Sequence, residues 1–180
     1  MKYSLPHTIE NCLGEKIIFH SIDENGKITV ESFCKPGAGP PMHTHLKQDE
    51  CLTIISGKMS YQLQGEEPKM AYAGETVLFK SGVAHKFRAE GDEILHCKGW
   101  VSPANTFIFF LSAVFAAQNK SGKGQPEAFD GAYLLTRYAS EYDMVEIPSF
   151  VKKVILPVTR FIGNLLGKYK HFQNAPEPLC

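Results

Sequence analysis

The chain has 180 residues, 43% hydrophobic and 21% charged, the composition of a globular protein able to bury one sizeable core. Nineteen basic residues balance nineteen acidic ones, so no global positive field recruits nucleic acid, and no nucleic-acid partner is expected. Residues 1–7 carry no apolar core followed by a small-residue cleavage site, so no secretory signal is expected and the protein is read as cytoplasmic.

Between residues 15 and 101, short β-rich runs alternate with turn residues, the pattern of an all-β sandwich or barrel. The most legible turn is Asn25-Gly26. It predicts a two-residue hairpin joining 16–22 to 27–34, with φ above zero at both turn positions. Further strands are predicted over 50–55, 58–64, 69–72, 76–80, 85–89 and 94–101, punctuated by Gly57, Gly65, Gly74, Gly82 and Gly91. About eight strands result.

After Pro103 the pattern turns helical. Residues 106–118 (TFIFFLSAVFAAQ) are apolar nearly all round, with Asn105 or Ser102 placed to cap the start and 119–124 to end it. The unbroken apolar stretch 107–117 is about half the length that crosses a bilayer, so it predicts a buried helix or a subunit contact. A second helix is predicted over 127–138, following Pro126. A third is predicted over 149–166, where Val151, Val154, Ile155, Val158, Phe161, Ile162, Leu165, Leu166 and Tyr169 recur at steps of three and four. Pro157 should kink it, and the tail 173–180 should be extended. Residues 1–103 are thus expected to form a β-barrel domain, and 104–180 a helical extension packed on the barrel or on a second subunit.

The third helix admits two readings. Lys152, Lys153, Arg160, Lys168 and Lys170 occur with no acidic residue between Ser149 and Ala175, which resembles a basic amphipathic segment lying on a membrane surface through 149–170. The preferred reading is that this terminal helix packs its apolar stripe on the barrel or a second subunit and leaves its lysines solvated.

Residues 37–57 read G-A-G-P-P-M-H-T-H-L-K-Q-D-E-C-L-T-I-I-S-G. His43 and His45 are two apart, so in an extended strand both imidazoles face one side. Glu50 opens an apolar strand in which it shares a face with Leu52 and Ile54. A carboxylate at the head of a core-facing row is costly unless paired, protonated or bound to a metal. A fourth candidate is His85, which shares an inward face with Phe87 and Ala89. Three imidazoles and one carboxylate suit a divalent transition ion such as iron, manganese, nickel, copper or zinc, whereas calcium prefers an all-oxygen shell. Asp49 is the near competitor for the carboxylate.

These residues resemble the cupin superfamily. The first stretch is similar to the motif G-x5-H-x-H-x4-E-x6-G at Gly37, His43, His45, Glu50 and Gly57. The second is similar to G-x5-P-x-G-x2-H-x3-N at Gly74, Gly82 and His85, with Lys80 standing where proline is usual and Ala89 where asparagine is. The resemblance spans residues 15–101. It implies a mainly β fold, a jelly-roll barrel (double-stranded β-helix) with the metal inside, here with a C-terminal α-helical extension, and a homodimer.

Cys12, Cys34, Cys51, Cys97 and Cys180 are odd in number and never form a C-x-x-C pair, which fits reduced thiols in a reducing compartment. Cys51 should point away from Glu50 as a buried small hydrophobe. His96 is a candidate for the barrel mouth; His7, His20 and His171 read as peripheral. Inward parity of Leu52, Ile54, Tyr61, Leu63, Phe79 and Phe87 predicts a largely apolar pocket for a small aromatic or keto compound. The expected function is a divalent-metal-binding cupin acting as a small-molecule oxygenase, with Glu50 doubling as proton acceptor. A metal-dependent isomerase or lyase, and a non-catalytic ligand- or metal-binding module, stand as alternatives, because the fold serves all three.

Overall fold

The structure, a computed structural model, describes residues 3–179; Cys180 and the first two positions of the segment read for a leader lie outside the described residues. The chain enters through β1 (His7–Glu10), then a hairpin of β2 (Glu15–Ile22) and β3 (Ile28–Cys34). The hairpin forms where expected, but not as a two-residue turn. Asp23 accepts the Gly26 N–H through its carbonyl, and its carboxylate accepts the N–H groups of Asn25 and Lys27. Of the two expected positions only Gly26 has positive φ, at 76°. Asp23 thus sets a type I turn closed by a left-handed glycine, and Asn25 needs no unusual backbone.

Eight more strands follow: β4 (His43–His45), β5 (Asp49–Ser56), β6 (Lys58–Leu63), β7 (Lys69–Tyr72), β8 (Thr76–Phe79), β9 (His85–Glu90), β10 (Leu95–Ser102) and, beyond two helices, β11 (Tyr142–Met144). They make two antiparallel sheets, a six-stranded one ordered β1-β2-β3-β10-β5-β8 and a five-stranded one ordered β11-β4-β9-β6-β7. Their facing surfaces bury Phe19, Ile28, Leu52, Ile54, Met59, Phe79 and Leu95. Each contributes about 1.5–3 kcal/mol of burial. This is the expected jelly roll, with helices after it.

Helix α1 (Phe107–Ser121) lies between the barrel and α2 (Ala128–Arg137), which explains why it is apolar on most of its circumference. Phe107, Ile108, Phe109 and Phe110 join the barrel core. Neither Asn105 nor Ser102 caps it. Thr106 occupies the cap position without a side-chain bond to the helix, its hydroxyl pairing instead with that of Tyr142, and the Phe107 N–H is taken by the Ala104 carbonyl. Asn105 instead turns the chain out of β10 with φ of 44°. Glu127 caps α2, accepting the N–H groups of Phe129 and Asp130.

Strand β11 was not foreseen within the helical segment. It pairs Tyr142 with His45 and Met144 with His43, and three residues are too few to show a period.

The last helix departs most from expectation. A π turn at Val151–Ile155 precedes α3 (Leu156–Leu165), and the Leu156 N–H reaches back to the Val151 carbonyl. The wide turn absorbs the disruption from Pro157, which has no N–H and a bulky ring. The apolar stripe does not pack on the barrel: Val154, Ile155, Val158, Phe161, Ile162, Leu165 and Leu166 are exposed. The opposite face, with Gly163, meets α2. No helix among the described residues is long and apolar enough to cross a membrane.

Cys12, Cys34, Cys51 and Cys97 are all free. Burial pushes the Cys34 and Cys97 thiols up to about 12.

Gly99 sits in β10, between β3 and β5, where a β-carbon would fall on the Cys51 carbonyl oxygen. Gly99→Ala is expected to cost about 3 kcal/mol or more in urea unfolding. Gly26→Ala, in an open turn, should cost about 1 kcal/mol. Equal stability of the two variants would contradict the β10–β5 pairing.

Candidate metal centre

Three of the four predicted side chains come from the five-stranded sheet and one from the six-stranded sheet. His43 and His45 project from β4, and His85 from β9, where it pairs directly with His43. Glu50 opens β5 on the other sheet. The site is therefore formed across the interior by the closure of the sandwich. One potential ligand atom from each of the four lies within 4.8 Å of the others.

The finer geometry suits an ion. His43 Nδ1 lies 2.8 Å from the Pro41 carbonyl and His85 Nδ1 lies 3.0 Å from the Val83 carbonyl. A carbonyl only accepts, so both Nδ1 atoms carry the proton and both Nε2 atoms turn a lone pair to the cluster. The Nε2 atoms of His43 and His45 are 3.1 Å apart; two nitrogens about 2.1 Å from one ion and at right angles would be about 3.0 Å apart. The Glu50 carboxylate lies 3.3 Å from His85 Nε2 and 3.9 Å from His45 Nδ1. His45 Nδ1 is buried and has no hydrogen-bond partner among the described residues, so no protein group fixes which of its two nitrogens carries the proton.

Electrostatics point the same way. Burial holds His43 down to about 4, with the neighbouring His85 adding to the effect, and holds His45 down to about 3. Burial opposes the charge on Glu50, but the three imidazoles beside it outweigh burial and keep its carboxyl below the usual range. His43 and His45 thus stand neutral beside a carboxylate, the protonation state a divalent ion requires.

Several residues that position the site were not foreseen. Phe79 stacks on His85 at 4.1 Å, and the rings of Phe107 and Tyr142 stand edge-on to His45. Gln48 and Glu141 are fully buried and hydrogen-bonded to one another at 2.9 Å. The Glu141 carbonyl accepts the Leu46 N–H, and the His45 carbonyl accepts the Gly82 N–H. Together they clamp β4. Nothing local in the sequence distinguishes Glu141 from a solvated acid.

The remaining candidates fall outside the cluster. Asp49 faces outward, where it pairs with Lys80 at 2.8 Å and accepts the Ser81 N–H. Lys80 thus holds β8 to β5. The Lys80 hydrogen bond keeps the Asp49 carboxyl below its usual range. Cys51 also faces away from Glu50 but is half-buried, not buried. His96 does not line a mouth: it stacks on Phe33 and bonds Glu31 at 2.7 Å, and Glu31 also takes His20. His7 bonds Ser112 and His171 pairs with Asp130.

A cavity of about 80 Å³ opens on the cluster. Leu52 and Phe87 line it as expected, but the rest of the apolar wall comes from Ile17, Val30, Phe107, Leu111 and Phe115. Among the described residues no lysine or arginine lines it. In chelator-treated protein, the ring signals of His43 and His45 should keep neutral-form shifts from about pH 7.5 to pH 5, because folding favours the uncharged ring. Protonation of both near pH 6.5 would contradict this geometry.

The family model for the cupin domain matches residues 32–101. No curated protein matches the sequence. Among solved structures, the chain is similar to KdgF from Halomonas sp., at 16% identity and TM-score 0.47, over 53% of this chain and 86% of that one. It is similar to a cupin-like protein from Thermotoga maritima at 24% identity and TM-score 0.46, over 49% of this chain and 68% of the other. It is likewise similar to the Cnp3 cupin domain of Schizosaccharomyces pombe, at 15% identity and TM-score 0.47, over 56% and 72% of the two chains. Residues 32–101 thus carry a cupin domain.

Proposed function

We propose that the chain is a divalent-metal-binding cupin that receives a small, largely apolar ligand at an ion held by His43, His45, Glu50 and His85, and that it acts as an oxygenase. The observation that carries the metal reading is the convergence of three lone-pair-bearing imidazoles and one carboxylate in a buried space. A mixed nitrogen and oxygen set of this kind favours iron, manganese, nickel, copper or zinc. Such an ion, with four protein ligands, would supply Lewis-acid or dioxygen chemistry at one or two further positions.

The chain's own residues define the rest. Glu50 borders the cavity and is held ionised, so it is placed to accept a proton from a ligand. Aromatic and aliphatic walls without lysine or arginine favour a small aromatic or keto compound over a phosphorylated one. Helix α1 supplies Phe107, Leu111 and Phe115 to that wall. The barrel and the segment after residue 103 therefore act as one unit at the site.

Gently purified protein is expected to contain about one transition ion per chain, and His85→Ala or Glu50→Gln to lower metal affinity by about 100-fold or more. Elemental analysis and metal titration measure both. Oxygen uptake with small phenols and diketones supports the oxygenase reading. Turnover without oxygen would replace it with an isomerase or lyase. Unchanged metal content in His85→Ala would overturn the metal reading itself.

A further inference from the structure

Eight large apolar side chains are exposed between residues 150 and 166, among them Phe150 at 65%, Phe161 at 64%, Leu165 at 71% and Leu166 at 60%. An apolar surface this continuous marks an interaction face. The helix is not free to roll it inward. Gly163 is buried against Tyr169 and Phe129, with no room for a β-carbon. Arg160 bonds Thr136 at 3.1 Å and lies over the Tyr133 ring, and Lys152 pairs with Asp143 at 2.6 Å. These contacts fix the opposite face on α2 and its flanks.

The charge around the face selects its occupant. No acidic residue occurs between Ser149 and Ala175. Lys153, Lys168 and Lys170 are exposed with no acidic partner among the described residues, although Lys168 reaches over the Phe129 ring on the α2 side. A second copy packed here by a two-fold axis would bring these lysines toward their own counterparts, with no carboxylate on either helix to neutralise them. An anionic lipid surface supplies both halves of the match, phosphates for the lysines and an acyl boundary for the apolar side chains. We infer that the π turn and α3 form an interfacial helix that seats the protein on the surface of an anionic phospholipid bilayer. It lies along the interface, since no described helix is long and apolar enough to cross. This inference is independent of the metal reading.

Flotation of the full chain with vesicles tests it. Binding is expected to vesicles containing phosphatidylglycerol, and to fall as salt rises, with little binding to pure phosphatidylcholine. Substitution of Lys153, Lys168 and Lys170 by Gln should weaken binding by about 100-fold. Phe161→Asp with Leu165→Asp should abolish it while leaving the circular dichroism and melting temperature unchanged. In Phe161→Trp protein, acyl-chain bromine should quench the new fluorescence. Absence of binding to anionic vesicles overturns the inference, as does equal binding to both compositions. A dimer that becomes monomeric in the double aspartate variant, without vesicle binding, overturns it in favour of a second copy.

Discussion

The structure is organised around a buried carboxylate, exposed to only 8%. Glu50 begins a strand whose next inward positions are Leu52 and Ile54, both buried, so its charge must be balanced inside the barrel. The balance comes from the opposite sheet. His85 Nε2 lies 3.3 Å from it, while His43 and His45 are brought up by a strand of three residues that could not hold its place alone. Much of the fold around the site serves to hold that strand. β11 pairs along it, the Gln48–Glu141 bond locks its end, and Phe107 and Tyr142 wall its second histidine.

The same constraint explains what the helices do. The sandwich alone leaves its interior open beside the cluster. Phe107, Leu111 and Phe115 close that side with carbon, so the ligand atoms face a small apolar space rather than bulk water. In such a space the electrostatic effect of each buried dipole is stronger than at the surface. Helix α1 is thus part of the site, whereas α3, one layer farther out, packs on α2 and turns its apolar face away from the barrel.

The sequence was legible where residues at short spacing share a strand face. The pair His43 and His45, the step to Glu50, the inward row from His85 and the glycine turns between strands all follow from a period of two. Legibility failed wherever the deciding partner lies far along the chain. Glu141 and Gln48 are 93 positions apart, and nothing local marks either as buried. Asn25-Gly26 misled because Asp23, two positions earlier, supplies the turn's hydrogen bonds. In the third helix the periodicity was read correctly, but period alone does not say whether a stripe faces its own protein. Gly163 and Arg160 decided that.

The proposed centre is one ion seated among four side chains. Anomalous diffraction from crystals of the metal-loaded protein, recorded at the absorption edge of the ion found by elemental analysis, reads that directly. The account predicts a single strong peak about 2.0–2.3 Å from His43, His45, Glu50 and His85. A peak elsewhere, with these four side chains bonded only to one another, would contradict it.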